Sequence, residues 1–415
     1  MPDLLAEPIR LAADRNRRST RRPALRVRIE RGYAGAFFMD LGQRNAVFVK
    51  RPLVPLRRFF AWADAFALLP EPDYDIVHSF NAIPLLTRRP YLVTFEDFLP
   101  RVPEDRYIGW LERWLRTRLL EDQCAAIIAA SDYARRQFHW QHRGWEGRAA
   151  LERKMHLIYP GVPLARTLPK RPSFSRLKLI FVGGDFMRKG GPAVLRAHER
   201  LRRQGIPAET VVISLLPPTD YVAPRSDTYR QQELRRLHQE GITFHRGLPQ
   251  RDTLRLLEEA DYLLFPTLHD TFGLISAQAL ACGTPALVTA TGAQPEIVQD
   301  RRSGFLLPLE NDPVVGKWVW LYRQQEPGYL EAYDQAIERL AQAMTDRLRT
   351  NWPPDPARYE AMSAAAIEQA QSRFRIEATR ERLEQLYEAT RERRKRTDSP
   401  RPPLHSHPGG RSGQG

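Results

Sequence analysis

Two short stretches concentrate the residues that could handle a charged ligand. The first is Gly183-Gly184-Asp185-Phe186-Met187-Arg188-Lys189-Gly190-Gly191, which follows an apolar run and precedes a helical pattern. Glycine lacks a Cβ and lets backbone approach a phosphate closely, while Arg188 and Lys189 could neutralise it. The spacing is neither a dinucleotide-binding fingerprint nor a P-loop, so an ordinary glycine turn carrying surface arginine and lysine is an equal reading. The second stretch is Phe265-Pro266-Thr267-Leu268-His269-Asp270-Thr271-Phe272-Gly273-Leu274, where an apolar run again leads through a loop into a helix that continues through Gln278 to Ala281. Free amides at that helix N-terminus, around Gly273 and Leu274, favour an anion, and a diphosphate is the candidate. Leu274 and Gln278 are four residues apart and share a face, so Asp270 and Gln278 could bracket one ligand. Asp270 could instead be only a helix cap, the less favoured of the two readings.

Such loops work only if strands and helices hold them in place. Short apolar runs predict strands at 46–49, 75–78, 91–94, 126–129 and 156–159, separated by helical patterns at 106–120 and 132–140. Prolines 160, 163, 169 and 172 forbid helix and predict an extended linker over 160–176. The alternation then restarts with strands at 177–183, 211–215, 242–245, 262–265, 286–289 and 305–307 and helices at 192–203 and 254–260. Strands alternating with crossover helices imply a parallel sheet, and two such units leave a cleft where their carboxyl-terminal loops face one another. Beyond them, 330–348 and 358–393 read as long helices without strands between. Five segments are therefore expected: a flexible extension over 1–24, an N-terminal unit over 25–168, a C-terminal unit over 169–375, a bracing helix over 376–394 and a disordered tail over 395–415.

A chain of 415 residues exceeds one ordinary core, which agrees with two domains. Residues 1–22 hold no apolar stretch of signal-peptide length, and no run approaches the length of a spanning helix, so a cytoplasmic protein is expected. The two cysteines, Cys124 and Cys282, have neither disulfide nor metal-ligand spacing and read as buried thiols. The net charge of +15 is compatible with nucleic acid, anionic lipid or a phosphorylated substrate. Its arginines are scattered, which favours solvated helix faces. A nucleic-acid binder has only that charge in its favour, so no nucleic-acid partner is expected. The Arg393–Arg396 cluster suggests peripheral contact with an anionic membrane or, more simply, a solvated tail.

The run from Asp270 to Pro285, followed by Gly292, Pro295, Glu296 and Gly304, resembles the signature of the glycosyltransferase family 4 donor domain. That pattern has a Glu, then Phe-Gly, a second Glu, Ala, and Gly-x-Pro; here Asp270, Phe272, Gly273, Gln278, Ala279, Gly283 and Pro285 stand at the matching places. The likeness extends to Phe181-Val182-Gly183 with Lys189-Gly190, to Gly161, and to the closing helices through Tyr387. It is looser in the N-terminal third.

The resemblance implies an α/β GT-B fold, two Rossmann-like doubly wound domains around a cleft. It also implies sugar transfer from a nucleotide-diphosphate sugar to an acceptor hydroxyl with retained anomeric configuration and no bound metal. The nucleotide sugar is then a co-substrate, no cofactor is expected, and a glycan or lipid-linked acceptor completes the reaction. By the same resemblance Lys189, assisted by Arg188, meets the leaving diphosphate and Asp270 bonds a sugar hydroxyl. Gln278 contacts the ribose, and Gly183, Gly184, Thr271, Phe272, Gly273, Leu274 and Glu296 line the donor site. Val77-His78-Ser79-Phe80 is similar to the family's strand-end histidine motif, although a buried or capping histidine fits too. Glu96, in Thr94-Phe95-Glu96-Asp97, stands where relatives often carry histidine and would accept from an acceptor hydroxyl. Ser131 reads as a helix cap. Asp270 and Gln278 replace the usual glutamates, and Gly184 stands where an arginine is common. These departures open an alternative, a catalytically impaired nucleotide-sugar-binding protein of the same fold.

Overall fold

Residues 76–80, 91–95, 262–265 and 286–289 form short strands that are buried throughout, as parallel sheets flanked by helices require. The structure, a computed structural model, describes residues 25–30, 46–51, 66–68, 74–85, 87–101, 109–217 and 220–398. The expected extension over 1–24, the start of the 106–120 helix and residues 399–415 lie outside them.

The first sheet is all parallel. It comprises β1 (Leu25–Glu30), β2 (Ala46–Arg51), β4 (Ile76–Phe80), β6 (Tyr91–Phe95), β7 (Cys124–Ala129) and β8 (Met155–Leu157), ordered β2-β1-β4-β6-β7-β8. β3 (Phe66–Leu68) and β5 (Ile83–Leu85) form a separate parallel pair. Neither β1 nor this pair is among the strands expected from sequence. In β1 the alternating arginines of Leu-Arg-Val-Arg-Ile-Glu hide the apolar run, yet Arg28 is buried, with its guanidinium over the Tyr74 ring at 5.6 Å. The helices are α1 (Gly109–Leu120), α2 (Asp132–Gln141) and α3 (Arg148–Glu152). Ser131 caps α2 by accepting from the Ala134 amide at 3.0 Å.

The second sheet holds β9 (Leu177–Val182), β10 (Ala208–Ile213), β11 (Ile242–His245), β12 (Tyr262–Phe265), β13 (Ala286–Thr289) and β14 (Gly304–Leu307). Its order is β11-β10-β9-β12-β13-β14, again all parallel. The chain leaves β9 toward one edge and comes back beside it as β12. The switch point between these strands is where an open α/β sheet leaves a crevice. Helices α4 (Gly191–Arg203), α5 (Asp227–Arg235), α6 (Gln250–Glu259), α7 (Leu274–Ala281) and the short α8 (Gln294–Ile297) connect the strands. Between the sheets, residues 160–176 form no helix and pair only through a single bridge from Val162 to Arg375.

Three helices close the chain: α9 (Tyr329–Thr350), α10 (Pro356–Arg373) and α11 (Ile376–Asp398). The long pattern expected over 358–393 thus divides at Phe374, whose wholly buried ring packs edge-on against Tyr159 and Phe272. α10 belongs to the second unit, where Ser363 donates to the Gly283 carbonyl at 2.6 Å. α11 crosses back to the first, where Thr379 donates to the Tyr159 carbonyl at 2.9 Å and Tyr387 meets His78 Nδ1 at 2.6 Å. It runs to Asp398, past position 395, where the tail was expected to begin. Among the described residues, no helix is long and apolar enough to cross a membrane. Cys124 and Cys282 are both buried, and burial pushes both thiols up to about 12.

Candidate active site

The loops after β9 and β12 lie against each other at the switch point. Gly190 sits at φ +78°, and a Cβ there would meet the Pro266 carbonyl oxygen at 2.0 Å, so only glycine lets these two loops touch. The Leu268 amide donates to the Arg188 carbonyl at 3.0 Å and stitches them together. Gly273, at φ +81°, is the N-cap of α7, and a Cβ there would strike the Gln294 side chain. Gln294 Nε2 donates to the Phe272 carbonyl at 2.8 Å, and its Oε1 accepts from Ser276 Oγ at 2.7 Å, which anchors the start of the helix.

On this platform Lys189 and Asp270 form a buried ion pair. Burial presses the Lys189 ammonium below its ordinary value, and the Asp270 carboxylate works against that shift. Arg188 pairs with Asp185, donates to the His269 carbonyl at 3.0 Å and lies over the Tyr221 ring at 5.1 Å. Tyr221 bonds His269 Nδ1 at 2.7 Å and stacks on Tyr322. His269 is held well below the usual histidine range, first by burial and then by the cations Lys317, Arg188, Lys189 and Arg101. Of these, Arg188 contacts the histidine directly, through its carbonyl, and Lys189 and Lys317 are each paired with a carboxylate.

Glu96 follows β6 in the first unit and enters this site from across the cleft. Its carboxyl is pushed above the usual range by burial, which Arg101 opposes and the nearby Asp270 reinforces. Asn81, directly after β4 and at φ 58°, grips Glu96 twice: Nδ2 donates to Oε1 at 3.3 Å, and the Glu96 amide donates to Oδ1 at 3.2 Å. Glu96 Oε2 is buried and meets no donor at full hydrogen-bond geometry, with the Thr271 side chain close enough to act on the carboxyl.

The remaining residues singled out from sequence divide into groups. Thr271 lies beside Glu96. Gly183 is packed against Lys189, where a Cβ would meet the Lys189 Cβ at 2.8 Å, whereas a Cβ on Gly184 would meet only Leu215 Cδ1 at 3.7 Å. Position 184 thus has room for a side chain. Phe272 is wholly buried against Tyr159 and Phe374, which leaves only its backbone to face a donor. Leu274 opens α7, and Gln278 lies buried one turn further along. His78 is a core residue, clasped by Tyr387 and by Thr94 Oγ1 at 2.8 Å and lowered by burial to about 3.

Glu296 points into the other unit. Its carboxylate accepts from the Asp132 amide at 2.8 Å, the Tyr133 amide at 2.5 Å and the Tyr159 hydroxyl at 2.9 Å, capping α2 from across the cleft. A second bridge pairs Lys317 with Asp97 at 2.8 Å, both side chains nearly buried, with Lys317 Nζ over the Phe98 ring at 4.2 Å. Gln137 adds a third by donating to the Val315 carbonyl at 2.6 Å. Sequence reasoning gave no role to Asn81, Asp97, Arg101, Tyr221, Gln294 or Lys317. The one available signal was Asp97, adjacent to Glu96 at a strand end.

Known proteins share part of this chain's sequence and its fold. Residues 176–322 match the family described as glycosyl transferases group 1. D-inositol 3-phosphate glycosyltransferase of Jonesia denitrificans is 29% identical over 207 residues, 45% of this chain and 46% of that protein. The protein of the same name from Streptomyces griseus is 30% identical over 131 residues, 32% of this chain and 21% of its own. The matched segment thus spans less than half the length of either relative. Among solved structures, a glycosyltransferase from Rickettsia africae superposes with TM-score 0.56 at 13% identity, covering 88% of this chain and 98% of that one. Anabaena HepE in complex with UDP-glucose gives TM-score 0.57 at 14% identity, over 88% of this chain and 100% of that one. At such identities the likeness is one of fold, and the fold is GT-B.

Proposed function

We propose that this chain, whose residues 176–322 belong to the glycosyl transferases group 1 family, moves a sugar from a nucleotide-diphosphate sugar to an acceptor hydroxyl with retention of anomeric configuration. The observation that carries the reading is the buried Lys189–Asp270 pair at the switch point between β9 and β12, beside Arg188, which donates to the His269 carbonyl, and the helix amides at Gly273. A nucleoside diphosphate accumulates negative charge as the glycosidic bond breaks, and cations already in place stabilise that state more than the ground state.

In this reading a donor exchanges partners with the ion pair. A diphosphate oxygen takes Lys189, and Asp270, released from it, accepts from a hydroxyl of the donor sugar. The α7 amides around Gly273 and Leu274 face the phosphates, the glycine backbone at 183 and 184 borders them, Thr271 flanks the sugar, and Gln278 reaches the ribose. Glu96 receives the acceptor hydroxyl on Oε2 from the opposite side. Glu296 contributes by holding the two units together beside the donor. The acceptor belongs to polysaccharide, lipopolysaccharide or glycolipid synthesis on the cytoplasmic side of a membrane, where the basic chain meets anionic lipid.

Release of nucleoside diphosphate from a panel of nucleotide sugars, with sugar and lipid acceptors, tests the reading; release with one donor that requires an acceptor is the expected result. A second reading, donor binding without turnover, draws support from the uncharged Gln278 and from the neutralisation of Lys189 by Asp270. Calorimetry distinguishes the two, because tight donor binding without product under every acceptor favours the second.

A further inference from the structure

Helix α1 packs Leu111, Leu115 and Leu119 into the first unit. Its other side presents Trp110, Arg113, Trp114 and Thr117, spaced i, i+3, i+4 and i+7 on one face and all exposed. Trp110 is 66% exposed and Trp114 43%. A single exposed apolar side chain is unremarkable, but two indoles on successive turns with an arginine between them place apolar area in water together.

Arg116 donates to the Gln141 carbonyl at 3.0 Å and ties α1 to the end of α2, where the exposed Arg143 lies over the Trp140 ring at 4.1 Å. Trp145, under Arg116, packs instead against the core of the first unit. Four of the eight tryptophans thus fall between positions 110 and 145, interleaved with arginine. Indole prefers the boundary between hydrocarbon and water, and a guanidinium matches a lipid phosphate with paired hydrogen bonds. A helix with one face in the core and a Trp–Arg face outside suits a surface that is apolar just below an anionic layer.

The helix also has a direction. α1 joins the neighbouring parallel strands β6 and β7, so it runs opposite to them and begins at the edge where β6 ends. Glu96 is the first residue after β6. The tryptophan end of α1 is therefore at the cleft end of the unit.

We propose that the Trp110–Arg113–Trp114 face of α1 seats the protein on an anionic bilayer with the cleft mouth toward the lipid surface, where a lipid-linked acceptor enters beside Glu96. The acceptor clause rests on the sugar-transfer reading; the membrane contact does not. The test uses the full chain without donor and vesicles of phosphatidylcholine with or without phosphatidylglycerol. Co-sedimentation is expected with the anionic vesicles, together with quenching of tryptophan fluorescence by brominated lipid. Trp110→Ser with Trp114→Ser should lower the partition about tenfold or more, and Arg113→Glu should lower it chiefly at low salt. All three side chains are exposed, so the thermal midpoint should hold. Unchanged partition of the double variant overturns the assignment, as does a wild-type chain that pellets with neither vesicle. A tryptophan-dependent dimer without lipid binding also overturns it and gives the face to a second copy. Nucleoside diphosphate release with a soluble acceptor is measured in parallel; its absence refutes sugar transfer while leaving the vesicle result intact.

Discussion

The ion pair between Asp97 and Lys317 makes a quantitative test of how the two units are joined. The pair spans the cleft at 2.8 Å with side-chain exposures of 12% and 7%, and Asp97 has one further contact, the Tyr133 hydroxyl at 3.5 Å. At an effective dielectric of about 20, charges this close attract by roughly 6 kcal/mol, and desolvation of both groups cancels much of it. Removing one partner leaves the other charge buried, which costs about 3–5 kcal/mol. Lys317→Met and Asp97→Asn should each destabilise the closed arrangement by about 3 kcal/mol, and the double variant should fall about 2 kcal/mol short of the sum. The first urea unfolding transition followed by intrinsic fluorescence gives the cycle, and small-angle scattering gives the radius of gyration. Both single variants should also be more extended. Effects that add to within about 0.5 kcal/mol, with no change in radius, would refute the view that this pair latches the cleft.

Lys189→Ala should lower the turnover number of sugar transfer by about 10²–10³-fold, because the cation acts on charge that develops at the leaving group; a loss below tenfold removes Lys189 from that role. Gly184→Arg combined with Gln278→Glu should tighten donor binding in calorimetry, since position 184 has room for a side chain and would add a cation beside Lys189. Unaltered affinity and turnover would weaken the case that those two positions limit activity. His78 and His142 stay neutral when folded, lowered by burial to about 3 and about 4, whereas the unfolded chain protonates them below 6.5. Stability should therefore fall as pH drops from 6.5 toward 4, and His78→Gln should flatten that slope by about one proton. Thermal midpoints across the range report it, and an unchanged slope would sink the attribution.

The sequence alone determined what periodicity and local chemistry can carry. Parallel strands buried on both faces appear as unbroken apolar runs, so β6, β9, β12 and β13 were legible, as was the proline-rich connection. The loops bearing Lys189 and Asp270 were legible as glycine-bearing strand-to-helix turns with charge, although an ordinary turn or a helix cap fitted each of them taken alone. Strand β1 was not, since Arg28 reads as exposed until Tyr74 comes to cover it. Only the tertiary structure decided which residues meet. The switch point joins loops that start 83 residues apart, after Val182 and Phe265, and no local pattern encodes that adjacency. It brought Glu96 from the other unit to face Asp270, and it engaged Glu296 with the amides of α2. It turned Asp97 and Lys317, 220 positions apart, into a buried pair. Each of these depends on where two sheets come to rest against each other, a long-range packing outcome that spacing along a chain does not record.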